Sequence, residues 1–403
     1  MKSVLSTLCL CLLAATARAD VIMDWNAKAD DYASEQHMTP TEHARVLAML
    51  HVAMFEAVNA IDRRYVPYRL KLVTDRNTSR EAAAAAAGHE VLTTLFPGRE
   101  HAVAGLLAGS LESVPPGPAR ERGLLLGRQA ASELLALRQN DGSDAVDSWR
   151  PITPPGVYIP TSLAVGSSVG AYQPWVMGSP SQFRPGPPPA LDSETWTRDL
   201  NEIREMGGLR SRARTEEQTL VARFWFLTGP RTYNPILQQV SRANRLDLVD
   251  CSRLYALAAM AAADSFIAVF EAKHAYNFWR PVTAIRNADL TGNPATPRDA
   301  TWLPLGDTPM HPEYPCAHCI SSAAVAHVLI NILGDEAEGI TVTNSGLGAT
   351  REWQRLSEYR DEVSNARIWA GFHYRFSTEV ARDMGRKIAD LTLQTQLRPR
   401  SGK

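Results

Sequence analysis

The sequence predicts an all-α protein, and three observations carry that prediction. Apolar residues recur at intervals of three and four in one segment after another, the spacing that lines one face of a helix. Helix-start signals precede several of these segments. No stretch alternates apolar and polar residues over the length of a strand, and no internal repeat is present.

Thr39-Pro40-Thr41-Glu42 combines a capping box with proline at the first helical position. Val46, Met49, Leu50, Ala53, Met54, Ala57 and Ile61 then fall on one helical face. Residues 80–95, 101–111 and 119–137 read the same way, so 20–150 is expected to form an antiparallel helical bundle. The stretch 151–190 differs: ten of the 26 prolines lie between Pro151 and Pro189, which predicts a long irregular segment. Helices resume near Ser193. Thr215-Glu216-Glu217-Gln218 is a second capping box, before an apolar run. Helices are then expected from Asp250 to Trp279, stopped by Pro281, from Cys319 to Leu333, ended by Gly334, from Thr350 to Ala370 and from Thr378 to Thr395. Together they make a second helical region over 191–400.

With 403 residues, 45% of them apolar and 21% charged, the chain has an ordinary globular composition, which excludes a disordered or fibrous protein. The 42 basic and 43 acidic residues nearly cancel, and no long basic run exists. Nucleic acid is therefore excluded as a partner on electrostatic grounds. Met1-Lys2, the apolar stretch Leu5 to Ala15 and the small-x-small site Ala17-Arg18-Ala19 form a secretory signal peptide over 1–19, with cleavage expected before Asp20. The mature chain is thus expected to be periplasmic or secreted, with three cysteines, Cys251, Cys316 and Cys319. The apolar runs Leu254 to Phe270, which contains Asp264, and Ala317 to Leu333, which contains His318 and His327, read as buried core helices, not as stable membrane spans.

Three short stretches carry chemistry. In Lys273-His274-Ala275-Tyr276-Asn277-Phe278-Trp279-Arg280-Pro281 the two cations are seven apart, two helical turns with a residual rotation of about 20°, which puts them on one face. They are either a solvated surface pair or one side of an anion site. In Tyr314-Pro315-Cys316-Ala317-His318-Cys319 a histidine stands at the start of an apolar helix, where free backbone N–H groups and the dipole suit an oxyanion. The same stretch holds a Cys-x-x-Cys pair, the spacing of a thiol redox motif, without the βαβ context of one. In Arg367-Ile368-Trp369-Ala370-Gly371-Phe372-His373 the arginine and histidine would point about 240° apart on an unbroken helix. They can share a site only if the helix breaks, and Gly371 is the natural place.

Taken together, these stretches resemble the superfamily of vanadium-dependent haloperoxidases and type-2 phosphatidic acid phosphatases. That pattern runs Lys-x6-Arg-Pro, Pro-Ser-Gly-His, then Ser-Arg-x5-His-x3-Asp. Lys273, Arg280 and Pro281 match the first part, Pro315 and His318 the second, Arg367 and His373 the third, in a region of about 255–395. The start of the mature chain, Asp20 to Asn26, and the segment His51 to Ile61 also resemble exported bacterial haloperoxidase homologues. The resemblance implies helical bundles of the haloperoxidase and acid-phosphatase kind, with Lys273, Arg280 and Arg367 holding the oxygens of vanadate or phosphate. It implies His373 as the vanadium ligand, or as the nucleophile on phosphorus, and His318 as general acid–base. Cys316 stands where the family's serine donates to the oxyanion, and the backbone N–H of Ala317 takes the glycine's place. Ala366 replaces the serine before the arginine, and Ser377 replaces the aspartate, so no carboxylate is expected to support His373. Cys316 and Cys319 are close enough on a helix to bridge. His311 occupies the position where bromoperoxidases of this family carry histidine.

The resemblance thus implies an exported haloperoxidase that oxidises halide, bromide by preference, with hydrogen peroxide at His-bound vanadate. Its alternatives are a soluble acid phosphatase working on phosphomonoesters through a phosphohistidine, with no cofactor required, and a Cys-x-x-Cys thiol–disulfide protein.

Overall fold

The computed structural model describes residues 20–400. The signal peptide expected over 1–19 lies outside the described residues. The first five helices are α1 (Asp20–Glu35), α2 (Pro40–Asp62), α3 (Arg80–Leu95), α4 (Glu100–Ser110) and α5 (Pro118–Leu137). The predicted capping box at Thr39 is present, with its side chain and that of Glu42 exchanging hydrogen bonds with each other's backbone N–H groups. Helices α3 and α5 pack closely because the face of α5 toward α3 carries Gly123 and Gly127.

After the irregular proline-rich segment come α6 (Glu194–Met206), α7 (Glu216–Phe224) and α8 (Asn234–Ala243). The long α9 (Leu248–Tyr276) follows, then the short α10 (Pro281–Arg286), α11 (Ala317–Leu333), α12 (Leu356–Trp369) and α13 (Arg375–Thr395). Helix α9 is apolar nearly all round, as a fully buried helix must be. It packs against α2 on one side and against α11 and α13 on the other, so one core cluster runs from Val21 to Leu397. Helices α2 and α9 are long and apolar enough to cross a membrane, yet 89% and 94% of their most apolar windows are buried inside the protein.

Two expectations need correction. Thr350 does not start a helix: residues Glu336–Asn344 (β1) and Ala349–Arg355 (β2) form an antiparallel hairpin, and helix α12 begins only at Leu356. Strand β2 reads Ala-Thr-Arg-Glu-Trp-Gln-Arg and buries Trp353 alone, 5.7 Å from the Trp225 ring, so one inward side chain leaves no alternation to detect. Helix α9 stops at Tyr276, three residues short of the expected end, where Asn277 takes a left-handed cap (φ 47°) and donates its N–H to the Lys273 carbonyl.

Asp264, in the middle of α9, anchors the proline-rich segment. Its buried carboxylate accepts the backbone N–H groups of Trp175, Val176 and Met177 at 2.7, 2.9 and 2.9 Å. Burial pushes its carboxyl up to about 6 against these donors. Asp264→Ala would leave three N–H groups without their acceptor, those of the buried Trp175 and Met177 among them. It is expected to cost about 3 kcal/mol or more in urea unfolding, with faster hydrogen exchange confined to residues around 165–177.

Candidate active site

Lys273 and Arg280 do converge, but not as two turns of one helix. Arg280 caps α10 in an extended conformation (ψ 154°), as a residue before proline prefers. The chain therefore leaves α9 through the left-handed Asn277 and brings Arg280 back beside Lys273. Both side chains are fully buried. Lys273 Nζ donates to the Pro312 and Glu313 carbonyls, each at 2.8 Å. Arg280 donates from Nε to the His311 carbonyl at 2.8 Å and from Nη1 to the Phe372 carbonyl at 3.0 Å. Arg367, in the last turn of α12, donates from Nη1 to the Trp225 carbonyl at 2.7 Å and lies 4.8 Å over the Phe372 ring. Its buried Nε has no partner among the described residues.

Gly371 provides the break that the Arg367–His373 spacing demands, with φ at +80°. It crosses Gly207 back to back: a Cβ on Gly371 would lie 2.5 Å from the Gly207 carbonyl oxygen, and one on Gly207 would lie 2.5 Å from the Gly371 Cα. Past this crossing the chain delivers His373, whose Nε2 lies 3.2 Å from Arg280 Nη1 and whose Nδ1 lies 2.8 Å from Glu313 Oε1. A guanidinium can only donate, so Nε2 holds the lone pair and Nδ1 the proton. Burial, and then the charges of Arg280, Lys273 and Arg367, hold this imidazole well below its usual range, so it is neutral.

Glu313 is the residue that the sequence reading missed. The resemblance led to the expectation that Ser377, in place of aspartate, leaves His373 without a carboxylate. The carboxylate comes instead from Glu313, two residues before Pro315, which also accepts the Tyr374 N–H at 3.1 Å. Its position directly before the histidine-bearing stretch Tyr314 to Cys319 was the available signal. Burial raises its carboxyl to about 7 against the pull of Lys273 and Arg280. Carboxylate–histidine pairs of this kind fix the ring tautomer that binds a metal through the other nitrogen.

Cys316 departs from its expected role. It is bonded to Cys319, and its sulfur accepts the Cys319 N–H as the N-cap of α11. A disulfide sulfur has no hydrogen to donate, so Cys316 cannot replace the serine as donor to an oxyanion. Both cysteines are fully buried, a poor setting for thiol exchange with a protein partner. The N–H groups of Ala317 and His318, in the first turn, have no acceptor within the helix.

His318 and Arg367, with Ala317 and His311, line a cavity of about 760 Å³. His318 Nε2 donates to the Leu227 carbonyl at 3.0 Å. Burial, and then Arg367, hold its imidazole well below the usual range. His311 Nδ1 accepts from Arg280 Nη2 at 3.0 Å, and its ring meets Phe270 edge-on at 5.0 Å. The structure therefore brings Lys273, Arg280, His311, His318, Arg367 and His373 into one neighbourhood. It holds three cations and one carboxylate, Glu313; burial holds the Lys273 amine well below its usual range, and the two carbonyls that accept from it favour the charged form. That surplus of buried positive charge, with the orphaned Arg367 Nε, fits a tetrahedral oxyanion.

Comparison with known proteins agrees with this reading. Residues 253–402 match the family model for the VCPO second helical-bundle domain. Vanadium chloroperoxidase of Curvularia inaequalis is 24% identical over an alignment that covers 86% of this chain and 76% of that protein. Among solved structures, a bacterial vanadium-dependent iodoperoxidase superposes with a TM-score of 0.84 at 22% identity, covering 96% of this chain and 98% of that one. The apo form of a bacterial vanadium-dependent chloroperoxidase gives 0.69 at 16% identity, covering 88% and 93%. The fold is that of the vanadium haloperoxidases, and the resemblance first carried by the motifs extends over almost the whole described chain.

Two measurements check the site. The intact mass of untreated protein should be lighter by two hydrogens than that of reduced protein, with the bridge mapped to the peptide holding Cys316 and Cys319. Below about pH 7 Glu313 is neutral and three cations face an anion unopposed; above it, the carboxylate subtracts one charge. Affinity for sulfate, whose charge is fixed, is thus expected to fall about three- to tenfold from about pH 6 to about pH 8. In Glu313→Gln that step should disappear; an equal step in the variant would show that Glu313 is not its source.

Proposed function

We propose that this protein is a vanadium-dependent haloperoxidase, using hydrogen peroxide to oxidise halide at vanadate bonded to His373 Nε2. The observation that carries the reading is the Glu313–His373 pair among three buried cations. It holds one nitrogen lone pair, facing Arg280 Nη1, in a strongly positive, buried setting. Bound vanadate would supply a Lewis-acidic centre that activates peroxide toward halide. Lys273, Arg280 and Arg367 would hold its oxygens, aided by the Ala317 N–H, and Glu313 would keep the His373 proton on Nδ1. His318, neutral and at the cavity surface, would take up and return protons.

Bromide is the favoured halide in this reading. Support comes from His311, which stands where bromoperoxidases of the resembled family carry histidine and which touches Arg280. The named relatives act on chloride and iodide, so the preference belongs to this chain's own residues. Export follows from the signal peptide of the sequence, and the Cys316–Cys319 bridge suits an oxidising compartment.

The test supplies pure protein with vanadate, peroxide and bromide, and separately with a phosphomonoester. Bromide oxidation without ester hydrolysis is expected; hydrolysis alone would assign the same lone pair to attack on phosphorus. His373→Ala should weaken vanadate binding by about 100-fold or more in calorimetry, while leaving the circular dichroism and unfolding midpoint near wild type. Undiminished vanadate affinity in the folded variant would rule out His373 as the ligand.

A further inference from the structure

We propose that the cavity above His318 and Arg367 is a binding site for an aromatic amine, the organic acceptor of the oxidised halogen. The acceptor role rests on the haloperoxidase reading; the binding rests on the cavity alone. Halide and peroxide each need about the space of one or two waters, roughly 30 Å³ apiece. The cavity holds about 760 Å³, far more than those reactants fill. That is the size of a small-molecule site, roughly 300–1,000 Å³.

Its walls are aromatic. Phe226, Phe266, Phe270 and Phe372 line it together with Met310. The Phe226 ring lies 5.6 Å from that of Phe372 and is 38% exposed, a large apolar surface left without cover. Offset and edge-on ring contacts are what such walls offer a flat guest.

The charges are sorted along the cavity. The exposed side carries Glu42, Asp147 and Asp307, and among the described residues no lysine or arginine lines it there. The one lining cation among the described residues, Arg367, is buried at the inner end. Glu42 and Asp147 already accept hydrogen bonds, from Thr39 and from Gly166, Ser167 and Ser168. A guest with a ring inward and a protonated amine outward sets its charge against the acidic side and keeps it away from Arg367.

The reaction balances as ring C–H, bromide, hydrogen peroxide and one proton giving ring C–Br and two waters. Bromide loses two electrons and the peroxide O–O bond breaks. The ring proton and the solvent proton both end in water.

The experiment titrates the full-length mature protein calorimetrically with tryptamine, indole and indole-3-acetate, without vanadate or peroxide. Inorganic phosphate is present to occupy the cationic end. Tryptamine should bind saturably, at least about fivefold tighter than indole, with indole-3-acetate weakest. Asp307→Asn should weaken tryptamine about two- to fivefold and leave indole unchanged. Phe226→Ala should weaken both by about tenfold. Absence of saturable binding, or indole-3-acetate binding as well as tryptamine, would overturn the proposal. Because no halide is oxidised in this assay, lost binding beside intact bromide oxidation would sink the amine site alone. Tight tryptamine binding by a protein that oxidises no halide would keep the site and sink the haloperoxidase reading.

Discussion

Three positive charges with no matching set of carboxylates lie buried in the second half of this protein, and much of its local structure answers that constraint. Each cation is stripped of water, which costs several kcal/mol unless its donors are satisfied. The satisfaction comes from backbone carbonyls: Pro312 and Glu313 for Lys273, His311 and Phe372 for Arg280, Trp225 for Arg367. Carbonyl dipoles stabilise the cations without neutralising them. The loops after α7, before α11 and after α12 are drawn to one point by these bonds, and the charge they leave over is what an oxyanion can use.

Burial of this kind also sets the protonation states. The imidazoles at His311, His318 and His373 are held neutral by burial first, and then by the cations beside them. Glu313 is held up to about 7 by the same desolvation, despite its cationic neighbours. The pair of Glu313 and His373 is thereby placed where a single proton decides how much positive charge the cluster shows.

The sequence made most of this legible, unevenly. Helices with caps or strong periodicity, such as α2 and α3, were readable within a residue or two, since each signal is local. The spacing of Lys273, Arg280, Arg367 and His373 survived because the motifs record which residues meet, even though the helical geometry invoked for the first pair was wrong. Glu313 was not legible as the partner of His373, because that meeting depends on how the loop after Pro312 packs against the Gly371 turn. The β1–β2 hairpin escaped because its second strand buries one side chain, and Asp264 was readable only as a charge inside an apolar helix, since the backbone of Trp175 to Met177 that it holds lies in a distant irregular segment.

The Gly207–Gly371 crossing limits how this chain can change. Two backbones touch there with room for no methyl group on either side, and glycine is already the smallest residue. A substitution at one position thus has no compensating change at the other, unlike a core pair in which one side chain can shrink as its neighbour grows. Leu305 N, within 3.1 Å of both the Gly207 and Ala370 carbonyls, ties the loop leading toward His311 to the same crossing. The approach of the polypeptide to His373 is therefore fixed by two residues that take no part in any chemistry, and a variant library that spares the cations and histidines yet varies these glycines should lose function as surely as one that does not.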